Sequence, residues 1–224
     1  PEISINGDII GTAGHKSLVP SRSLELHESE LGVQAIIDPY ARGDLFISFG
    51  EEGVGVEEGY ITFTSLPKGF VARVGKMRGA FGKVNTIHNH ALPFIDRPLV
   101  TNNLVGGEDG INDAGISVAR LIPNPWIFLE ATGQVFRGDS DELFKSSQRG
   151  DLNYVGHLRG YQDITDNTNI DLGASFSQGH NTSGIVDDFD LGRFRTALYG
   201  GDATIRWKPL NRSVYHSFVG RSEF

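Results

Sequence analysis

Asn169-Ile170-Asp171-Leu172-Gly173-Ala174-Ser175-Phe176-Ser177 puts Ile170, Leu172, Ala174 and Phe176 at every second position. Asn169, Asp171, Gly173, Ser175 and Ser177 lie between them. Successive side chains of an extended chain point to opposite faces, so the spacing predicts a strand with one apolar and one polar face. Thr196–Lys208 repeats the design, with Ala197, Tyr199, Gly201, Ala203, Ile205 and Trp207 opposite Thr196, Asp202, Thr204, Arg206 and Lys208. Trp126–Arg137 sets Ile127, Leu129, Ala131 and Val135 against Glu130, Thr132 and Gln134, and Leu152–Tyr161 sets Leu152, Tyr154, Gly156 and Leu158 against Asn153, His157 and Arg159. Toward the N-terminus, Leu31, Val33, Ala35 and Ile37 oppose Glu30 and Gln34. Ala41, Leu45, Ile47 and Phe49 then oppose Arg42, Asp44 and Ser48. Further strands are expected at Glu2–Gly11, Val56–Thr64, Phe70–Met77, Asp113–Ile122 and Ser213–Arg221, with the alternation poorest in Val56–Thr64. Breaks at Leu66-Pro67-Lys68-Gly69, Ile122-Pro123-Asn124-Pro125 and Thr165-Asp166-Asn167 carry turn-forming residues. No helical period of three and four is sustained, so the chain is all-β, with about eleven strands.

Alternating strands also build soluble β-sandwiches. Three features favour a wall between lipid and water. Several strands run to ten residues or more, beyond the usual five or six. Their polar faces carry charges in mid-strand, such as Arg73, Glu130, Arg159, Asp171 and Asp202. Their apolar faces are rich in Ala and Gly and end in aromatics, among them Trp126, Phe136, Tyr199 and Trp207, as interfacial girdles do. No run of about 18 apolar residues occurs, so any membrane crossing is by strands. The expectation is an antiparallel up-and-down transmembrane β-barrel in a bacterial outer membrane. It is expected as one domain over residues 1–224, incomplete at about 10–12 strands because such barrels close with even strand numbers. Ser222 and Gly220 stand where a finished terminal strand would show apolar residues, so the chain reads as a fragment.

The net charge of -8 and the lack of a basic stripe argue against nucleic acid as a partner. The absence of Cys removes thiolate metal sites and thiol catalysis. Ser and His are present, but no Gly-x-Ser-x-Gly or paired motif selects a nucleophile, and no enzymatic activity is expected. The polar faces nominate Arg42, Asp44, Arg73, Glu130, His157, Arg159, Asp171, Asp202 and Arg206 as pore-lining. The partners expected are lipid and small solutes or ions; assembly into a homo-oligomer is compatible with the pattern.

Between Gly82 and Asn112 the hairpin rhythm stops. Loops this long are usually functional or disordered. Ile87, Leu92, Phe94, Ile95, Leu99, Val100 and Leu104 give this one an apolar half that suits folding into the lumen or capping its mouth. His88 and His90, two apart, face the same way if the segment is extended. With Asp96 they offer two imidazoles and a carboxylate, a partial ligand set for Zn²⁺. Hydrogen bonding within a packed loop is the plainer role for the same histidines.

Gly75-Lys76-Met77-Arg78, Phe81-Gly82, Asn85, His88-Asn89-His90, Asp96-Arg97-Pro98-Leu99, Gly106, Asp113-Ala114-Gly115 and Leu121-Ile122-Pro123 follow one another through this region. That series resembles bacterial zinc-regulated outer-membrane receptor-like proteins, which are similar in architecture to phosphate-selective porins. The resemblance covers Gly75–Pro123; elsewhere only the strand rhythm is shared. It implies a transmembrane barrel that passes solutes, among them metal ions, and a longer complete protein. The loop carries only Lys83 and Arg97 as cations, which argues against phosphate selectivity. The leading expectation is a porin-like channel or uptake barrel, and the alternative a zinc-binding receptor using the His-x-His loop.

Overall fold

The computed structural model describes residues 1–14, 23–50, 53–94, 97–107, 109–140, 143–182, 185–186, 189–190, 192–211 and 214–224. It is all-β. One antiparallel sheet contains eleven strands, each hydrogen-bonded to its neighbours in sequence order. They are β1 (Glu2–Gly11), β2 (Leu24–Asp38), β3 (Ala41–Gly50), β4 (Gly53–Phe63), β5 (Phe70–Arg78), β6 (Asn112–Leu121), β7 (Phe128–Phe136), β10 (Asn153–Thr165), β11 (Thr168–Asn181), β14 (Phe194–Trp207) and β15 (Phe218–Glu223). Two short ribbons, β8 (Asp139–Ser140) with β9 (Phe144–Lys145) and β12 (Ile185–Val186) with β13 (Phe189–Asp190), decorate the connections beside them. Their two-residue arms are too short to show an alternation in the sequence.

The expected strands are present, several with shifted ends. β11 continues from Ser177 to Asn181, paired residue for residue with β14 from Thr168↔Trp207 to Asn181↔Phe194. The last strand starts at Phe218, and Ser213 lies outside the described residues. The poor alternation of Val56–Thr64 has a physical cause. Phe46 pairs with Glu58 and Ile47 with Val56, so Glu57 is an extra, bulged residue. A bulge re-aims side chains, and here Glu57 and Glu58 are both buried.

The two ends of the sheet differ. Connections 39–40, 64–69, 122–127, 166–167 and 208–217 lie at one end, and 12–23, 51–52, 79–111, 137–152 and 182–193 at the other. All the longest connections fall in the second group. The segment 79–111 leaves that end between β5 and β6, and its described residues lie along the polar face of the sheet. The backbone N–H of Lys83 donates to Glu223 Oε1 of β15 at 2.6 Å, while the His88 ring contacts Glu30 of β2. In a flat sheet β2 and β15 would be roughly 43 Å apart at about 4.8 Å per strand. The stretch from Lys83 to His88 reaches only about 18 Å when fully extended. The sheet therefore curls around the segment. It is not closed: β1 and β15 have no pairing with each other among the described residues.

Burial is inverted with respect to a soluble β domain. Among the described residues, buried polar and charged side chains, including Glu30, Asp44, Gln134, Asp171, Asp202 and Thr204, outnumber buried hydrophobic ones by more than two to one. The convex face shows Ile3, Ile5, Ile116, Tyr154, Leu158, Leu172, Tyr199 and Ile205 to the outside. The small apolar core of Met77, Phe81, Val105, Ile111, Phe136, Phe144 and Val155 sits where residues of 79–111 and Phe144 of β9 pack onto the concave wall.

Asn85 staples the segment shut. Its Nδ2 donates to Gly79 O at 2.7 Å and Ile111 O at 3.1 Å, and its Oδ1 accepts from Ile111 N at 3.0 Å. Gly110, at φ +60°, leaves no room for a Cβ, which would lie 1.9 Å from that Oδ1. Arg97 donates to Val84 O, Ile87 O and Asn89 Oδ1, tying the next turns together. Asn85→Ala leaves the buried Ile111 N–H without its partner, whereas Gly79 O and Ile111 O still accept from Phe81 N and Gly79 N, and should cost about 1–3 kcal/mol. The expected result is faster proteolysis within 79–111 and a lower thermal midpoint; unchanged values for both would show that this staple does not hold the segment.

Candidate functional site

Two constellations lie on the concave face. The first is built where 79–111 meets β2 and β4. Alternation on β2 turns Glu28 and Glu30 inward, and the β4 bulge brings Glu57 and Glu58 in together. His88 precedes a one-turn 3-10 helix, Asn89–Ala91, which carries His90. The segment is thus a turn here, and the condition under which the two rings would face the same way, an extended chain, is not met. The turn still brings the two rings to 5.8 Å between centroids.

His88 Nδ1 contacts Glu30 Oε2 and lies 3.1 Å from Glu57 Oε2; His88 Nε2 is 2.7 Å from Glu58 Oε2. Burial opposes charge on this ring, but hydrogen bonds to Glu57, Glu58 and Glu30 outweigh it and push the His88 pKa up to about 10. His90 Nδ1 points at the same Glu30 oxygen from 3.5 Å, and its Nε2 lies 3.4 Å from the Asn6 amide of β1. Arg78 of β5 completes the cluster, donating to Glu57 Oε2 at 3.3 Å and to Asp109 O at 3.0 Å. Glu30, His88 and His90 form a group with the donor types and proximity to hold a metal ion. Asp96, nominated as the third ligand, lies outside the described residues. Glu30 supplies the carboxylate of that group.

The second constellation is a cavity of about 630 Å³ between the in-folded segment and the wall from β4 to β14. Six of the nine residues nominated from the polar faces line it: Arg73, Glu130, His157, Arg159, Asp171 and Asp202. Arg42 and Asp44 share the inward face on β3 but are spent on each other at 3.0 Å, away from the cavity. Arg206 shares a face with Asp202 and Thr204 by register and does not line the cavity.

Asp171 joins the segment to the wall, accepting from Lys83 Nζ at 2.7 Å and from Arg159 at 2.9 and 2.8 Å. The Ser175 hydroxyl accepts from Gly82 N at 2.8 Å and lies 2.8 Å from His157 Nδ1. That oxygen is engaged from both sides, which makes it a bridge between segment and wall. Arg73 lies over the Tyr60 ring, 5.3 Å from its centroid, with its charge facing the cavity.

Sequence reasoning missed Glu57, Glu58, Arg78 and Lys83. The signal for the first two was the Glu57-Glu58 doublet inside the one strand that broke alternation. Arg78 and Lys83 flank the long loop, and no periodicity assigns them a face. Glu30 was read as polar-facing, but nothing local in the sequence pairs it with His88.

No family model matches the chain. It is 31% identical over 223 residues to an uncharacterized protein of Aquifex aeolicus (strain VF5), an alignment covering 92% of this chain and 47% of that protein. The chain spans about half the length of the relative it matches.

Proposed function

We propose that this chain forms part of the wall of a porin-like channel in a bacterial outer membrane, with residues 79–111 folded in as the constriction. The inverted burial supports this most directly. An apolar convex face suits lipid, and a charged concave face suits a watery lumen. The connections agree: outer-membrane barrels have short turns on the periplasmic side and longer loops outside, which assigns the 79–111 end to the exterior. In hydrocarbon the free edges of β1 and β15 need strand partners, because each unpaired backbone group costs several kcal/mol. This reading therefore includes further strands, from a longer protein or a second copy. The mixed charges of Arg73, Lys83, Glu130, Arg159, Asp171 and Asp202 beside the cavity would set ionic preference, as rings of charge do in channels.

The receptor reading, in which the loop captures Zn²⁺ in transit, draws on Glu30, His88 and His90. Neither histidine lines the cavity, and their side chains are 13% and 21% exposed. An ion on those ligands is held beside the path, so the channel reading ranks first.

Full-length protein in planar bilayers should conduct, and Arg73→Glu should move the reversal potential under a salt gradient toward cation preference. Folded protein that inserts without conducting would end the channel reading. A second prediction separates lipid from water as the outer environment. Leu172 sits mid-strand on the convex face. Leu172→Arg should destabilise the protein refolded in vesicles by about 2–4 kcal/mol. A water-exposed position would change by less than about 0.5 kcal/mol, and a value that small would favour a soluble sheet.

A further inference from the structure

We infer that Glu30, His88 and His90 bind a divalent transition-metal ion that latches the in-folded segment to β2. Ligand atoms about 2.0–2.1 Å from a tetrahedral Zn²⁺ are roughly 3.3 Å from one another. His90 Nδ1 to Glu30 Oε2 is 3.5 Å, His88 Nδ1 directly contacts the same oxygen, and the ligand atoms of all three residues lie within 4.8 Å of one another. Two imidazole nitrogens and one carboxylate oxygen thus lie together, with Glu57 Oε2 beside them, a donor set that suits zinc and its neighbours. The outer contacts fit as well. His88 Nε2 meets Glu58 Oε2 at 2.7 Å, the carboxylate–histidine arrangement that orients a metal-bound imidazole.

A protonated His88 explains its own contacts with Glu30 and Glu58. It does not explain His90. The Nδ1 of His90 is buried, aimed at the Glu30 oxygen already facing His88, and has no hydrogen-bond partner. A shared cation gives that nitrogen a partner. It also joins two parts of the chain through one centre: β2 through Glu30 and the segment through both histidines.

The site stands on these residues alone; its effect on conduction rests on the channel reading. The test is Zn²⁺ titration by calorimetry of chelator-treated full-length protein in detergent, with Co²⁺ absorption as a reporter of tetrahedral geometry. Wild type should bind one ion per chain with a tetrahedral Co²⁺ spectrum. His90→Ala and Glu30→Gln should each weaken binding at least tenfold, and His90→Ala keeps the His88–Glu58 contact so that the fold is retained. No stoichiometric binding by folded wild type, or unchanged binding in both variants, overturns the site. In bilayers, removing the ion should raise conductance or its fluctuations in wild type but not in His90→Ala. Conductance that ignores the ion while binding persists overturns the latch. Stoichiometric binding with no conductance at all leaves the site standing and counts against the channel.

Discussion

A curled sheet with a polar concave face cannot be filled by an apolar plug, and the rest of this structure depends on that constraint. Each inward carboxylate, hydroxyl or guanidinium must keep water or find a hydrogen-bonding partner, because burial without one costs several kcal/mol. The protein uses both solutions on one face. Around the cavity the polar groups stay beside open space. Where residues 79–111 pack down, the segment brings the partners itself: backbone N–H groups to Glu223, Ser175 and Gln134, Lys83 to Asp171, and His88 to the glutamates of β2 and β4. Among the described residues, buried hydrophobic side chains gather mainly in the cluster around Met77, Phe136 and Phe144 and are far fewer than the buried polar ones.

The bulge in β4 shows how one residue changes the chemistry of the face. With regular alternation, Glu57 and Glu58 would point to opposite sides, and one carboxylate would face outward among Ile61, Phe63 and Val74. The bulge turns both inward, onto His88 and Arg78. The same irregularity thus keeps a charge off the apolar face and supplies two of the carboxylates around His88.

The sheet was legible in the sequence because period-two alternation is local: it needs only neighbouring residues, and Asn169–Ser177 or Thr196–Lys208 displays it without any partner strand. Six inward residues beside the cavity were legible for the same reason. The curl of the sheet was not. It emerges from contacts such as Lys83 to Glu223, between residues far apart in sequence. The Glu–His cluster was half legible. His88 and His90 stood out by spacing, but Glu30 and Glu57 reach them only through strand register and a bulge, and neither follows from a local pattern.

The attachment of the in-folded segment is graded along its length, which bears on how it would move. Near its start, Gly82, Lys83 and Val84 are fixed by direct hydrogen bonds to Ser175 and Glu223, and Asn85 closes the backbone between Gly79 and Ile111. These are short-range contacts that bulk ions screen little when buried. At His88 and His90 the attachment becomes a cluster dominated by carboxylates, whose mutual repulsion is relieved in part by the cations placed among them. The first region is therefore held by local hydrogen bonds and the second by contacts whose strength depends on charge. A displacement of the second region would swing the His88–Ala91 turn away from β2 while leaving Gly82 and Asn85 in place. The cavity walls contributed by β5 to β14 would not need to move.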